Sequence, residues 1–106
     1  MRIQFLWYPD CPSHPQAREL LARTLRELDV ESHVEEICVR DWDQAREHQF
    51  PGSPTIRINS VDIDEQGADA MGVALTCRTY ARPGSGFGPL PTHEQLADAI
   101  RRAASL

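Results

Sequence analysis

The apolar positions along this chain change period several times, and each change marks an element. Residues 2–8 alternate and predict a first strand carrying Ile3, Phe5, Leu6, Trp7 and Tyr8, ended by Pro9-Asp10. Over 17–28 the spacing becomes helical. Ala17, Leu20, Leu21, Leu25 and Leu28 share one face, with Arg18, Glu19, Arg23, Arg26 and Glu27 opposite. Residues 33–39 predict a second strand, and Asp41-Trp42-Asp43-Gln44 carries helix-start chemistry for a short helix to about His48. Residues 55–58 predict a third strand. Asn59-Ser60 then suits a two-residue hairpin turn into a short fourth strand at 61–63. Thr92-His93-Glu94-Gln95 has the capping-box pattern and opens a last helix with Leu96, Ala99, Ile100 and Ala103 on one face.

The predicted order is β-α-β-α-β-β-α, an α/β fold. Its two crossovers give a mixed four-stranded sheet a parallel portion, and the final hairpin adds an antiparallel edge. Segment 64–91 reads as an inserted loop, apart from an extended run at 77–81. Within it, 82–89 is rich in glycine and proline and reads as a turn or mobile loop. With 106 residues, the expectation is one domain over 1–106, large enough to fold on a single core.

Charge and cysteine content narrow the function classes. A formal charge of −5, with eleven arginines and no lysine spread along the chain, argues against a nucleic-acid surface. No apolar stretch is long enough for a secretory leader or a membrane span, so a cytoplasmic setting without membrane partners is expected. Three cysteines are too few, and odd in number, for a secreted disulfide scaffold.

The chemistry concentrates in Tyr8-Pro9-Asp10-Cys11-Pro12-Ser13-His14-Pro15. Cys11 stands between a strand and a helix, where helix amides can stabilise a thiolate. Pro12 suits a first helical position. Pro15 disfavours helical dihedrals at His14 and lacks an amide, which points to a helix start at Ser13 or His14 and leaves Cys11 a turn outside it. His14 is a second source of activation, as a positive charge near the sulfur or a proton donor to a leaving thiolate. Cys38, between Ile37 and Val39, reads as a core cysteine. Trp7, Trp42 and Phe50 read as core or subunit-contact residues, compatible with a monomer or homodimer. Asp62, Asp64, Glu65 and Asp69 read as a solvated acidic loop. A thiolate–imidazole metal site drawn from Cys11, His14, Cys38, Cys77 and one of His33, His48 or His93 is the main non-redox alternative. Cys11-x-x-His14 alone is a weak ligand pair, so no metal is assigned.

The element order, the cysteine after the first strand and Ser53-Pro54-Thr55 before the third together resemble the thioredoxin-like superfamily in its compact glutaredoxin-like plan. Trp7 to His14, Gly52-Ser53-Pro54-Thr55 and Cys77-Arg78-Thr79-Tyr80 are similar, more narrowly, to small bacterial thioredoxin-fold proteins described as selenoprotein-related or alkylmercury-lyase-like. The resemblance implies Cys11 as nucleophile and Pro54 as the cis-proline facing it. Ser53, Pro54 and Thr55, with Tyr8 and Pro12, become the expected substrate contacts. His14 occupies the position of the usual second cysteine, so a disulfide within the motif is out of reach, and Cys77 or an external thiol is left to resolve the intermediate. A thiol–disulfide oxidoreductase follows as the expected function, acting on a thiol, a disulfide or a small electrophile. The alternative is a soft-metal or protein-binding module without catalysis, the protein partner lying along the sheet beside Pro54. No cofactor is expected. Glutathione is the co-substrate that the resemblance would bring, although the Gly-Gly-x-Asp type element that contacts it in glutaredoxin-like proteins is not reproduced.

Overall fold

A computed structural model describes residues 1–84 and 86–105. Strand β1 (Ile3–Trp7) is central because its alternation serves two cores at once. Ile3 and Phe5 enter a cluster with Leu21, Ile56, Leu96 and Ile100, whereas Leu6 enters a second cluster with Val39, Ala45 and Phe50. Helices α1 (His14–Glu27) and α4 (His93–Ala104) bring their apolar faces to the first cluster. The short helix α2 (Trp42–Glu47) supplies Ala45 to the second.

Strand β1 pairs in parallel with β2 (Val34–Cys38), from Ile3 opposite Val34 to Trp7 opposite Cys38. On its other side it pairs antiparallel with β4 (Thr55–Ile58), which in turn pairs with β5 (Val61–Asp62). The sheet order is β2-β1-β4-β5, a mixed four-stranded sheet. Asn59 and Ser60 both have positive φ (52° and 69°), the conformation whose twist matches a two-residue hairpin. Helix α1 starts at His14 after the N-cap Ser13, with Pro15 in its first turn, and α4 carries the complete Thr92–Gln95 capping box.

Two regions depart from the sequence reading. A further short strand, β3 (Pro51–Ser53), precedes β4. Segment 64–91 is not an inserted loop. It holds α3 (Glu65–Met71), β6 (Ala74–Cys77), and a hairpin of β7 (Tyr80–Arg82) with β8 (Gly86–Gly88). Ser85, within the glycine- and proline-rich 82–89, lies outside the described residues. Helix α3 buries no residue and is started by Asp64, whose carboxylate accepts from the Gly67 amide at 3.1 Å. Cys77 therefore ends a strand where the sequence reading had it begin one. Trp42 is 50 % exposed and so lies outside the core, and Cys38, read as a core cysteine, is only partly buried on edge strand β2. Among the described residues no helix is long and apolar enough to cross a membrane.

Candidate functional site

Pro9 and Asp10 break β1, and the chain turns at once: the Cys11 amide donates to the Tyr8 carbonyl at 3.0 Å. The turn leaves Cys11 two residues ahead of the Ser13 N-cap, and Pro15 removes one of the first-turn amides that an anion at this end would use. The described hydrogen bonds of the Cys11 sulfur run elsewhere. Its Sγ lies 3.3 Å from the Ser53 carbonyl, to which the thiol donates, and 3.0 Å from the Cys77 sulfur. Cys11 is 2 % exposed.

What delivers Cys77 is the parallel pairing of β3 with β6, in which Cys77 sits opposite Ser53. Its neighbour Arg78 donates its amide to the Ser53 carbonyl at 2.7 Å. This approach requires glycine at 52. A Cβ there would stand 3.0 Å from the Arg78 Cα and amide nitrogen, and the residue has φ +111°. The Cys11 thiol and the Arg78 amide thus share the Ser53 carbonyl, which sets Cys77 beside Cys11. The Cys77 thiol is pushed up to about 11, first by its hydrogen bond to Cys11, then by burial and by negative charge at Cys11.

Beneath the sulfurs lies a buried polar lock. The Arg78 side chain is wholly buried and forms a two-pronged ion pair with Asp62, both contacts at 2.9 Å. It also donates to the Thr55 hydroxyl at 3.1 Å and to the Asp64 carbonyl at 3.0 Å, while its Nε has no protein partner. The guanidinium stands 4.5 Å from the ring centroid of Tyr80, whose hydroxyl donates to the Pro54 carbonyl at 2.7 Å. Burial drives the Tyr80 phenol far above its ordinary range, an effect that Arg78 partly offsets. The Ser53–Pro54 peptide bond is cis.

The structure brings some expected site residues together and separates others. Cys11, Cys77, Ser53 and Pro54 adjoin one another. Ser53 and Thr55, expected to meet substrate, are wholly buried and committed internally: the Ser53 hydroxyl accepts from the Tyr8 amide at 3.0 Å, and the Thr55 hydroxyl donates to the Gly52 carbonyl at 2.7 Å. Pro12 is exposed, and Tyr8 donates to Asp10 at 3.0 Å. His14 packs against Trp7 (ring centroids 4.5 Å apart) and its Nδ1 lies 3.4 Å from the Arg18 guanidinium. Desolvation there, with Arg18 adding and Glu36 opposing, holds His14 below its ordinary value, so its surroundings favour the neutral ring. The backbone edge beside Pro54, where the alternative reading would lay a protein partner, is paired with β6 of this same chain.

Asp62 and Asp64, read as solvated loop residues, instead hold Arg78 and cap α3. Among the described residues no group of three or more His, Cys, Asp or Glu side chains comes together as a metal site. A cleft of about 570 Å³ lined by His48, Arg57, Asp62, Glu65 and Asp69 contains neither sulfur. Sequence reasoning missed Arg78, Asp62 and Tyr80 as supports of the thiol pair. Their signal was faint: an arginine and an aromatic flanking one threonine directly after a cysteine. Searches of protein-family models, curated proteins and solved structures gave no match to this chain.

Proposed function

We propose that this chain is a thioredoxin-like thiol–disulfide redox protein whose working pair is Cys11 and Cys77. The observation that carries the reading is the 3.0 Å separation of their sulfurs. A disulfide bond is about 2.05 Å long, so closing it asks for a movement of about 1 Å. The chemistry balances without a cofactor: the two thiols give up two protons and two electrons to a substrate disulfide, one S–S bond breaks, one forms, and two substrate thiols leave. Cys77 supplies the second thiol that His14 cannot. Buried Arg78 and Tyr80 act as positioning residues, fixing the two segments that bear on the sulfurs.

Mild oxidation followed by a free-thiol count and peptide mapping tests the reading. The expected result is the loss of two thiols, with the Cys11 and Cys77 peptides linked and Cys38 still free. Recovery of Cys11 and Cys77 as separate thiols or sulfenates would sink it. A stoichiometric soft metal in the isolated protein, protecting both thiols, would favour the binding alternative instead.

A further inference from the structure

The dithiol reading leaves open which sulfur meets the outside world, and the two differ in access. Displacement at a disulfide sulfur runs along the S–S axis, from the side opposite the leaving sulfur, so access decides which sulfur is attacked. Cys11 is 2 % exposed, and the Ser53 carbonyl stands 3.3 Å from its sulfur. An incoming thiolate therefore has almost no open surface from which to reach the Cys11 sulfur. Cys77 ends β6 and is only partly buried. The backbone edge of β3 beside both sulfurs is also filled from within. Cys77 sits opposite Ser53, the Arg78 amide occupies the Ser53 carbonyl at 2.7 Å, and Gly52 admits the Arg78 backbone closely. The buried Arg78–Asp62 pair anchors that segment, so peeling it away to admit a peptide strand would strand a charge.

We propose that Cys77 is the sulfur at which substrate reacts, that Cys11 is the internal partner, and that the substrate is a low-molecular-weight thiol or disulfide, not an extended peptide strand. The proposal rests on the dithiol reading above and inverts the roles expected from the sequence. In the oxidised protein, a small thiolate RS⁻ attacks the Cys77 sulfur. The Cys77–S–R bond forms, the bond to Cys11 breaks, and Cys11 leaves as a thiolate that takes up a proton and returns to the Ser53 carbonyl. A second RS⁻ then attacks the R sulfur, releasing RSSR and the Cys77 thiolate, which is protonated in turn. Run backwards, the same steps reduce a small disulfide.

The test uses Cys38→Ser as background, because Cys38 is also partly exposed. Cys11→Ser and Cys77→Ser are each added, and each protein is treated with 2-hydroxyethyl disulfide. The expected result is a mixed disulfide forming about tenfold or more faster on Cys77, in the Cys11→Ser protein, than on Cys11 in the Cys77→Ser protein. Brief treatment of the oxidised Cys38→Ser protein with 2-mercaptoethanol, followed by acid quenching and peptide mapping, guards against repacking in the variants and should find the mixed disulfide on Cys77 and the free thiol on Cys11. Equal or faster reaction at Cys11 in both experiments would overturn the assignment. A disulfide-linked extended peptide reacting as fast as the small disulfide would overturn the substrate class. Failure of the redox reading is distinguishable: oxidation would then leave Cys11 and Cys77 unlinked, whichever cysteine is labelled first.

Discussion

Removing the carboxylate of Asp62 should be among the most damaging single changes in this protein. Asp62→Ala leaves the Arg78 guanidinium buried, with Thr55 and one carbonyl as its remaining partners. The side chains of Arg78 and Asp62 are 0 % and 8 % exposed, so water does not compensate for the loss. Two charge-assisted hydrogen bonds, each worth about 1.5–3 kcal/mol, disappear together. Breaking one side of a buried ion pair costs about 3–5 kcal/mol, a large part of the roughly 5–15 kcal/mol that holds a domain folded. For a chain of this length that loss lowers Tm by roughly 15–30 °C. Thermal unfolding followed by circular dichroism reads it directly. The double variant Asp62→Leu with Arg78→Met should regain most of the loss, because no charge then stays buried unpaired. If Asp62→Ala costs less than about 1 kcal/mol, as for an exposed surface pair, the reasoning about the lock is refuted.

Further outcomes follow from the same geometry. Because Cys77 is raised from an ordinary value near 9 to about 11 in the folded reduced protein, its contribution to stability is complete below pH 9 and lost as pH rises toward 11. Chemical denaturation of reduced wild type across that window should show the decline, and an equal decline in Cys77→Ser would contradict its source. Tyr80→Phe removes the donor to the buried Pro54 carbonyl and should cost about 1–3 kcal/mol in urea unfolding, while a neutral result would mean that the carbonyl finds another partner. Proton NMR should find His14 titrating below its ordinary value, and Arg18→Gln should move it upward. A titration at or above the ordinary value would show that the ring does not pack as described against Trp7 and Arg18.

The elements that periodicity made legible are those that bury a continuous face. Strand β1 and helices α1 and α4 owe their existence to residues such as Phe5, Leu21 and Ile100, whose spacing states which side is inside. Capping chemistry at Thr92 and the turn at Asn59-Ser60 were equally readable, because they depend on residues adjacent in sequence. Segment 64–91 was not. Helix α3 has no buried face to announce it, and β6 exists only because β3 lies beside it. The candidate site divides along the same line. Cys11 and Ser53-Pro54 stand out locally, whereas the role of Arg78 is invisible until Asp62 meets it across the fold, since arginine ordinarily seeks solvent.

The separation of the two cysteines by 66 in sequence carries a consequence of its own. A pair three residues apart stays neighbourly in an unfolded chain, whereas this pair meets in the random coil only at the millimolar effective concentrations of a long flexible tether. Bonding capacity between these sulfurs is therefore a property that the tertiary structure confers and that unfolding takes away. A covalent link closing so long a loop would restrict the denatured chain by about 4–5 kcal/mol in the loop-entropy view, and reciprocity requires folding to favour the link by the same amount. Anything that loosens β3 from β6, whether heat or a side chain at Gly52, parts two neighbouring thiols into two independent ones. Under the proposed function, redox competence and conformational integrity would rise and fall together.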